Sequence, residues 1–224
     1  MSTYVLVHGI CHGAWCWEST AESLRERGHT AIALDLPLTS LEDDAAAVGR
    51  ALDGVDGPAI LVGHSYGGLV ISKAAGGRDD VGHLVYVAAV MIDGDDVFLV
   101  RTADFPAVPL AEQAELTDDG WIIVSADAAR SCFYNDCDPA AADAAAARMR
   151  PTATACLGVP TGEEPWRTVP STYLLCQHDG AIHPEMQRWM STRAGDVVVF
   201  ETDHSPFMST PDEFIAVLDG IAVG

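Results

Sequence analysis

Short runs of consecutive apolar residues recur along the chain, and segments with helical periodicity separate them. The predicted strands are Thr3–Val7, Thr30–Leu34, Ala59–Val62, Leu84–Met91, Thr172–Cys176 and Val197–Phe200. Strands that are apolar on both faces are typical of parallel sheets, whose two sides are covered by helices. The alternation therefore predicts an α/β fold of about six mainly parallel strands with helices on both faces.

The alternation stops at Asp93 and resumes near Val169. The segment between them is irregular and rich in Pro, Ala and Asp, with one clear helix predicted over 138–150. Asp138 is suited to cap that helix, and Pro139 to occupy its first turn. Long excursions between two sheet strands are usually functional. We therefore predict a core of residues 1–92 and 169–224, with a lid inserted at 93–168.

The composition limits the classes of partner. The 224 residues suit a single domain, and the formal net charge is −21. A surface this acidic repels phosphate backbones and anionic lipids, so neither a nucleic-acid nor a membrane partner is expected. No leader with a basic start and an apolar stretch opens the sequence. We expect a cytoplasmic protein with reduced thiols, since its six cysteines form no CxxC pair.

The motif Gly63-His64-Ser65-Tyr66-Gly67-Gly68 follows an apolar strand and precedes a helical stretch. This is the context of a nucleophile elbow, in which a sharp turn from strand to helix exposes a serine hydroxyl. Glycine is needed at 63 and 67 because a Cβ there would clash across the turn. The motif predicts that Ser65 is a nucleophile.

A serine hydroxyl needs a neighbouring base, and the base needs an acid to orient it. His204 follows the last predicted strand, and Asp179 follows the strand Thr172–Cys176. The chain order Ser65, Asp179, His204 is the order found in hydrolases of this architecture. Four other carboxylates stay open as alternative acids: Asp93, Asp95, Asp96 and Asp203.

The loop after the first strand, His8 to Trp15, is placed to supply one amide of an oxyanion hole, and the residue after the nucleophile supplies the other. We therefore assign the backbone N–H groups of Ile10 and Tyr66 to this role. His8 and His12 stand on a glycine-broken loop rather than on one helix face, so no metal site is expected. The sequence contains no phosphate-binding loop and no dinucleotide fingerprint.

Together these segments resemble one branch of the α/β-hydrolase fold, the plant methyl-ester esterases and hydroxynitrile lyases with their bacterial esterase relatives. The resemblance covers nearly the whole chain and is carried by His8–Trp17, Gly63–Gly68, Asp179–Gln187, Asp203-His204 and, more weakly, Cys132–Cys137. It implies an α/β-hydrolase fold and a cofactor-free enzyme with the triad of Ser65, His204 and Asp179. It also implies a buried apolar pocket under a small lid, and often a homodimer.

Two departures from the lyase pattern favour ester hydrolysis. Hydroxynitrile lyases carry threonine after the first-strand histidine and lysine after the catalytic histidine, whereas this chain has Gly9 and Ser205. We therefore predict a serine hydrolase that cleaves the carboxylic ester of a small, largely apolar molecule. A thioesterase, lactonase or cyclase of secondary metabolism would use the same triad, and a receptor-like protein with low turnover is a third hypothesis. Residues expected near the pocket are Leu110, Trp121, Phe133, Tyr134, Trp166, Phe207 and Met208.

Overall fold

A computed structural model describes residues 1–221 and arranges them around one central sheet. The strands, in chain order, are β1 (Thr3–Val7), β2 (Thr30–Leu34), β3 (Ala59–His64), β4 (Val81–Val87), β5 (Glu115–Leu116), β6 (Trp121–Ile123), β7 (Thr152–Ala153), β8 (Ser171–Cys176) and β9 (Asp196–Phe200). The α-helices are α1 (Glu18–Glu26), α2 (Leu41–Leu52), α3 (Gly67–Ala75), α4 (Phe98–Arg101), α5 (Pro109–Gln113), α6 (Ala126–Cys132), α7 (Pro139–Ala146), α8 (Pro184–Ser191), α9 (Pro206–Ser209) and α10 (Pro211–Gly220). None of the helices within residues 1–221 has the length and apolar character needed to cross a bilayer.

Six strands form the central sheet in the order β2-β1-β3-β4-β8-β9, and every neighbouring pair is parallel. The inner strands β3 and β8 are buried along their whole length, whereas the edge strand β9 is largely exposed. The predicted α/β-hydrolase architecture with about six mainly parallel strands is confirmed. Because all six strands run in one direction, the loops after them meet at one edge of the sheet.

Helices cover both faces of this sheet, and the alternation of side chains along β1 shows how. Val5 and Val7 pack into the apolar cluster that includes α2, α3 and α8. Tyr4 and Leu6 point to the opposite face and pack with α1 and α10. The continuous apolar runs of the sequence therefore contribute side chains to two cores, one on each side of the sheet.

The fourth strand ends earlier than the sequence predicts. Pairing stops at Val87, where Ala88 adopts a φ of +42°, rather than continuing to Met91. The backbone turns here because the following residues pack against the loop after β3. The amide of Val90 donates a hydrogen bond of 3.0 Å to the carbonyl of Ser65.

The chain between β4 and β8 contains the helices α4 to α7 and a small antiparallel sheet of β5, β6 and β7. Helix α7 is shorter than the predicted 138–150, although Asp138 caps it by accepting hydrogen bonds from two amides of its first turn. The chain leaves the helix early because the amide of Arg150 donates to the carbonyl of Cys11, in the loop after β1. The inserted segment is therefore tied to the core at the edge where the strands end.

Candidate active site

Ser65 occupies the turn between β3 and α3 in a strained backbone conformation. Its φ is +54°, in the left-handed region that residues with a side chain rarely adopt. Its amide donates to the carbonyl of Val87 at 3.1 Å, and its own carbonyl accepts from the amides of Gly68 and Val90, each at 3.0 Å. These bonds hold the strained turn in place.

The glycines around Ser65 are required by close backbone contacts. A Cβ on Gly63 would lie 2.6 Å from the carbonyl oxygen of Gly67, and a Cβ on Gly67 would lie 2.6 Å from that of Val7. The predicted clash across the turn is confirmed for Gly63, whereas at Gly67 the Cβ would clash with the end of β1. A Cβ on Gly68 would collide with the carbonyl of Val90, so the third glycine serves the packing of the segment after β4.

The loop after β1 passes directly over the nucleophile turn. A Cβ on Gly9 would lie 2.8 Å from the Cβ of Ser65, which explains why this loop carries glycine at its closest approach. Ser65 is 8% exposed, and its hydroxyl makes no hydrogen bond within residues 1–221. Its hydroxyl is therefore free to meet a small molecule.

The structure brings His204 and Asp179 together from the loops after β9 and β8. The Nδ1 atom of His204 lies 2.6 Å from Oδ2 of Asp179, and both side chains are fully buried. The same carboxylate accepts backbone hydrogen bonds from Ala181 at 2.7 Å and Ile182 at 2.8 Å through Oδ1. Because the carboxylate can only accept when ionised, it fixes the proton of His204 on Nδ1 and leaves a lone pair on Nε2.

Gln187 on α8 completes the surroundings of this carboxylate. Its Nε2 donates to Oδ2 of Asp179 at 2.7 Å and to the carbonyl of Ile182 at 2.9 Å, while its Oε1 accepts from the amide of Cys176 at 3.0 Å. Sequence reasoning assigned no role to Gln187. Its signals in the sequence were its place in the segment Asp179–Gln187, which carries the family resemblance, and a polar residue on the buried face of a helix.

Of the alternative acids, Asp95 is exposed to solvent, and the other three are engaged elsewhere. Asp203 accepts from the amides of Asp136 and Ser205, at 2.9 and 3.0 Å. Asp93 pairs with Arg193, and Asp96 with Arg101. Within residues 1–221, Asp179 is the carboxylate that pairs with His204.

His64 links the nucleophile turn to the loop that carries His204. Its Nε2 donates to the backbone carbonyl of His204 at 3.0 Å, and the two imidazole rings lie 4.5 Å apart. Burial holds the pKa of His64 well below its usual value, so this imidazole is neutral. In the described chain the buried Nε2 of His204 has no partner and forms no hydrogen bond to Ser65. Such bonds often form only when the substrate is bound.

The two amides assigned to the oxyanion hole lie beside Ser65. Tyr66 is the N-cap residue of α3, where the helix dipole favours negative charge. Ile10 follows Gly9 in the loop that touches Ser65. Neither backbone N–H donates a hydrogen bond to another of residues 1–221, so both are available to a ligand.

The histidines of the first loop bind backbone rather than metal. Nδ1 of His8 lies 2.8 Å from the carbonyl of Gly9, and Nδ1 of His12 lies 2.7 Å from that of Ile10. Burial lowers the pKa of His8 to about 4 and that of His12 to about 3. No group of His, Cys, Asp and Glu within residues 1–221 is arranged to hold a metal ion.

A cavity of about 380 Å³ lies between the inserted segment and the core. Ile10, Ile182 and Met186 contribute from the core, and α4 and α5 contribute Phe98 and Leu110. The remaining lining residues are Leu99, Thr102, Ala103, Phe105, Pro106, Ala107, Val108, Ala111, Ala114, Ile122, Leu157, Ala181 and His183. The lining is almost wholly apolar, and His183 is its one ionisable side chain.

Of the residues expected near the pocket, Leu110 lines this cavity and the structure places the others elsewhere. Phe207 and Met208 line a separate groove beside α1 and α7. Trp121 lies in β6, and Trp166 packs under the guanidinium of Arg167. Phe133 and Tyr134 are buried between the loops that carry His12 and His204.

Residues 4–217 match the Alpha/beta hydrolase family. The chain belongs to this family. It is 26% identical over 242 residues to "Alpha/beta hydrolase nvfD" of Aspergillus novofumigatus, which covers 97% of this chain and 95% of that protein. It is 28% identical over 258 residues to "Methyl jasmonate esterase 1" of Vitis vinifera, with the same coverage of 97% and 95%. The crystal structure of polyneuridine aldehyde esterase superposes with a TM-score of 0.82 at 21% identity, over 97% of this chain and 98% of that one.

Proposed function

We propose that this protein is a cofactor-free serine esterase that cleaves carboxylic esters of small, largely apolar molecules through an acyl-enzyme. Ser65 is the nucleophile, His204 is the general base and acid, and Asp179 orients the imidazole. The backbone amides of Ile10 and Tyr66 bind the oxyanion.

The observation that carries the proposal is the pairing of buried His204 with Asp179 at 2.6 Å, at the sheet edge where Ser65 stands on its strained turn. An imidazole held in this way keeps its Nε2 lone pair for a proton. The class of carboxylic ester hydrolases rests on the family membership and on esterase relatives that align with nearly the whole chain.

In the first half of the reaction, Nε2 of His204 takes the proton of Ser65 while Oγ attacks the ester carbonyl. The charge that develops on the carbonyl oxygen is met by the two free amides, and loss of one such donor typically costs roughly 3–4 kcal/mol of transition-state stabilisation. The protonated His204 then gives its proton to the departing alcohol. In the second half, His204 activates a water molecule that hydrolyses the acyl-enzyme.

The cavity supports the proposed substrate class, an ester of a small, largely apolar molecule. Its volume of about 380 Å³ lies within the range of small-molecule sites, and Ile10 belongs both to its wall and to the proposed oxyanion hole. No lysine or arginine lines it, and the protein has a formal charge of −21. We therefore expect the group held there to be apolar and uncharged. The homodimer implied by the family resemblance stays a prediction.

The test is the intact mass of the protein after incubation with a small fluorophosphonate, combined with hydrolysis of short-chain p-nitrophenyl esters. We expect one adduct on the native chain and on the control Ser72→Ala, which removes a buried serine of α3. Ser65→Ala should give no adduct and no hydrolysis. An unlabelled native chain, or an adduct that persists in Ser65→Ala, would refute the proposal.

A further inference from the structure

The loop that carries the Ile10 amide is held from two sides. On the core side, Nδ1 of His8 donates to the carbonyl of Gly9 at 2.8 Å. The peptide between Gly9 and Ile10 is trans, so its N–H points away from its carbonyl. The hydrogen bond from His8 therefore fixes the direction of the Ile10 N–H group.

On the other side, the inserted segment holds the next peptide. Nδ1 of His12 donates to the carbonyl of Ile10 at 2.7 Å, because a carbonyl can only accept. This leaves a lone pair on Nε2 of His12, which accepts the hydroxyl of Tyr134 at 2.7 Å. His12 is buried, and that burial lowers its pKa to about 3, so the imidazole is uncharged near neutral pH.

The backbone of Cys11, the residue after Ile10, is strained and is held by hydrogen bonds from the inserted segment. Cys11 has a φ of +61°, a left-handed conformation that is strained for a residue with a side chain. Its amide donates to Oγ1 of Thr152 at 2.8 Å, and its carbonyl accepts from the amide of Arg150 at 3.0 Å. Both partners belong to the inserted segment, next to and in β7.

We propose that Tyr134 is a positioning residue for the oxyanion hole: through His12 it fixes the peptide planes around Ile10, so that the inserted segment contributes to transition-state stabilisation and not only to enclosing substrate. This inference rests on the proposed function. Phe133, its neighbour, packs 5.5 Å from the ring of His204 and 5.3 Å from that of His12. The two adjacent residues therefore join the base to the oxyanion loop.

The first test compares Tyr134→Phe with Tyr4→Phe. Both changes remove a buried hydroxyl that makes a hydrogen bond of 2.7 Å, but Tyr4 donates to Leu218 on the far side of the sheet. For Tyr134→Phe we expect about a tenfold fall in kcat with KM unchanged, less than the 10²–10³ lost with a whole donor because the amide remains. The affinity for a trifluoromethyl ketone, which forms a tetrahedral oxyanion, should fall by the same factor. Tyr4→Phe should leave both quantities within twofold of the native values.

A second readout does not depend on turnover. In protein labelled with ¹⁵N-isoleucine, Tyr134→Phe and Thr152→Val should both shift the amide resonance of Ile10, and Tyr4→Phe should not. An unchanged Ile10 resonance together with unchanged kcat in Tyr134→Phe would overturn the inference. If the native chain hydrolyses no ester and takes no fluorophosphonate, the proposed function fails, and the Ile10 resonance still decides whether Tyr134 positions this loop.

Discussion

Replacing Asp179 with asparagine creates a conflict that the structure defines atom by atom. In the native chain Oδ1 accepts the two backbone amides of Ala181 and Ile182, and Oδ2 accepts from Gln187 and His204. Asparagine offers one acceptor oxygen and one NH₂ donor. If its oxygen keeps the backbone amides, its NH₂ faces the donors of Gln187 and His204.

His204 can relieve this conflict only by moving its proton to Nε2, which removes the lone pair that is proposed to take the proton of Ser65. Gln187 cannot turn its amide without losing its hydrogen bonds to the backbone of Cys176 and Ile182. The equivalent exchange in serine proteases lowers kcat by about 10⁴ through the wrong tautomer. We expect a loss of roughly 10³–10⁴ here, which is about 4–5.5 kcal/mol of transition-state stabilisation.

The assay is steady-state hydrolysis of a p-nitrophenyl ester, with Asp203→Asn as the matched control. Asp203 is also buried and also accepts through both oxygens, from Ser205 and Ser209 through Oδ1 and from Asp136 through Oδ2. Both variants should lose stability, but only Asp179→Asn should lose activity on the scale above. A kcat within tenfold of the native value in Asp179→Asn, or a larger loss in Asp203→Asn, would refute the tautomer argument.

Three further predictions follow from contacts around the site. Gly68→Ala should fail to fold or melt far below the native chain, because its Cβ would collide with the carbonyl of Val90; circular dichroism on heating checks this. Burial lowers the pKa of His8 to about 4 and that of His12 to about 3, so between pH 6.5 and 4 the unfolded chain binds protons that the folded chain does not. The free energy of unfolding should therefore keep its full value above pH 6.5 and fall on acidification. Each histidine should contribute up to about 1.4 kcal/mol per pH unit to this fall. In urea titrations between pH 6.5 and 4, the fall should be smaller in His8→Gln than in the native chain by the contribution of one histidine. Ala111→Trp should fill part of the cavity of about 380 Å³ without disturbing the core, raising KM for hexanoate and octanoate esters while leaving kcat/KM for acetate unchanged.

The sequence predicts the parts of the site that depend on short-range geometry. The turn that carries Ser65 can be predicted from the sequence because Gly63 and Gly67 contact one another across only a few residues. The proximity of Asp179 and His204 can be predicted because each follows a strand, and the carboxyl ends of parallel strands lie at one edge of the sheet. The number and direction of the strands follow in the same way from apolar runs that have to be buried on both faces.

Contacts between distant segments are not encoded in any local pattern. The hydroxyl of Tyr134 donates to Nε2 of His12, which is 122 residues away in the sequence. The amide of Cys11 donates to Oγ1 of Thr152, which is 141 residues away. Aromatic residues of the inserted segment show the same limit. Sequence reasoning placed Trp166 near the pocket, whereas its ring packs against the main apolar core and lies 4.4 Å from the guanidinium of Arg167. The apolar character of a residue predicts that its side chain will be buried, but it does not predict which residues will cover it.

The strand order also bears on how much length variation the chain can absorb. His204, the proposed base, lies on the loop after β9, three strands away from β3. Strand spacings of about 4.8 Å make that gap roughly 14 Å. The four residue steps from Phe200 to His204 span at most about 14 Å when extended, yet the carbonyl of His204 lies 3.0 Å from Nε2 of His64, beside the nucleophile. The connection is short, although the chain bends at Glu201, Thr202 and His204 instead of running extended. Deleting one residue between Phe200 and His204 would therefore shift His204 relative to Ser65, whereas the exposed turn between β5 and β6 can change length without moving either.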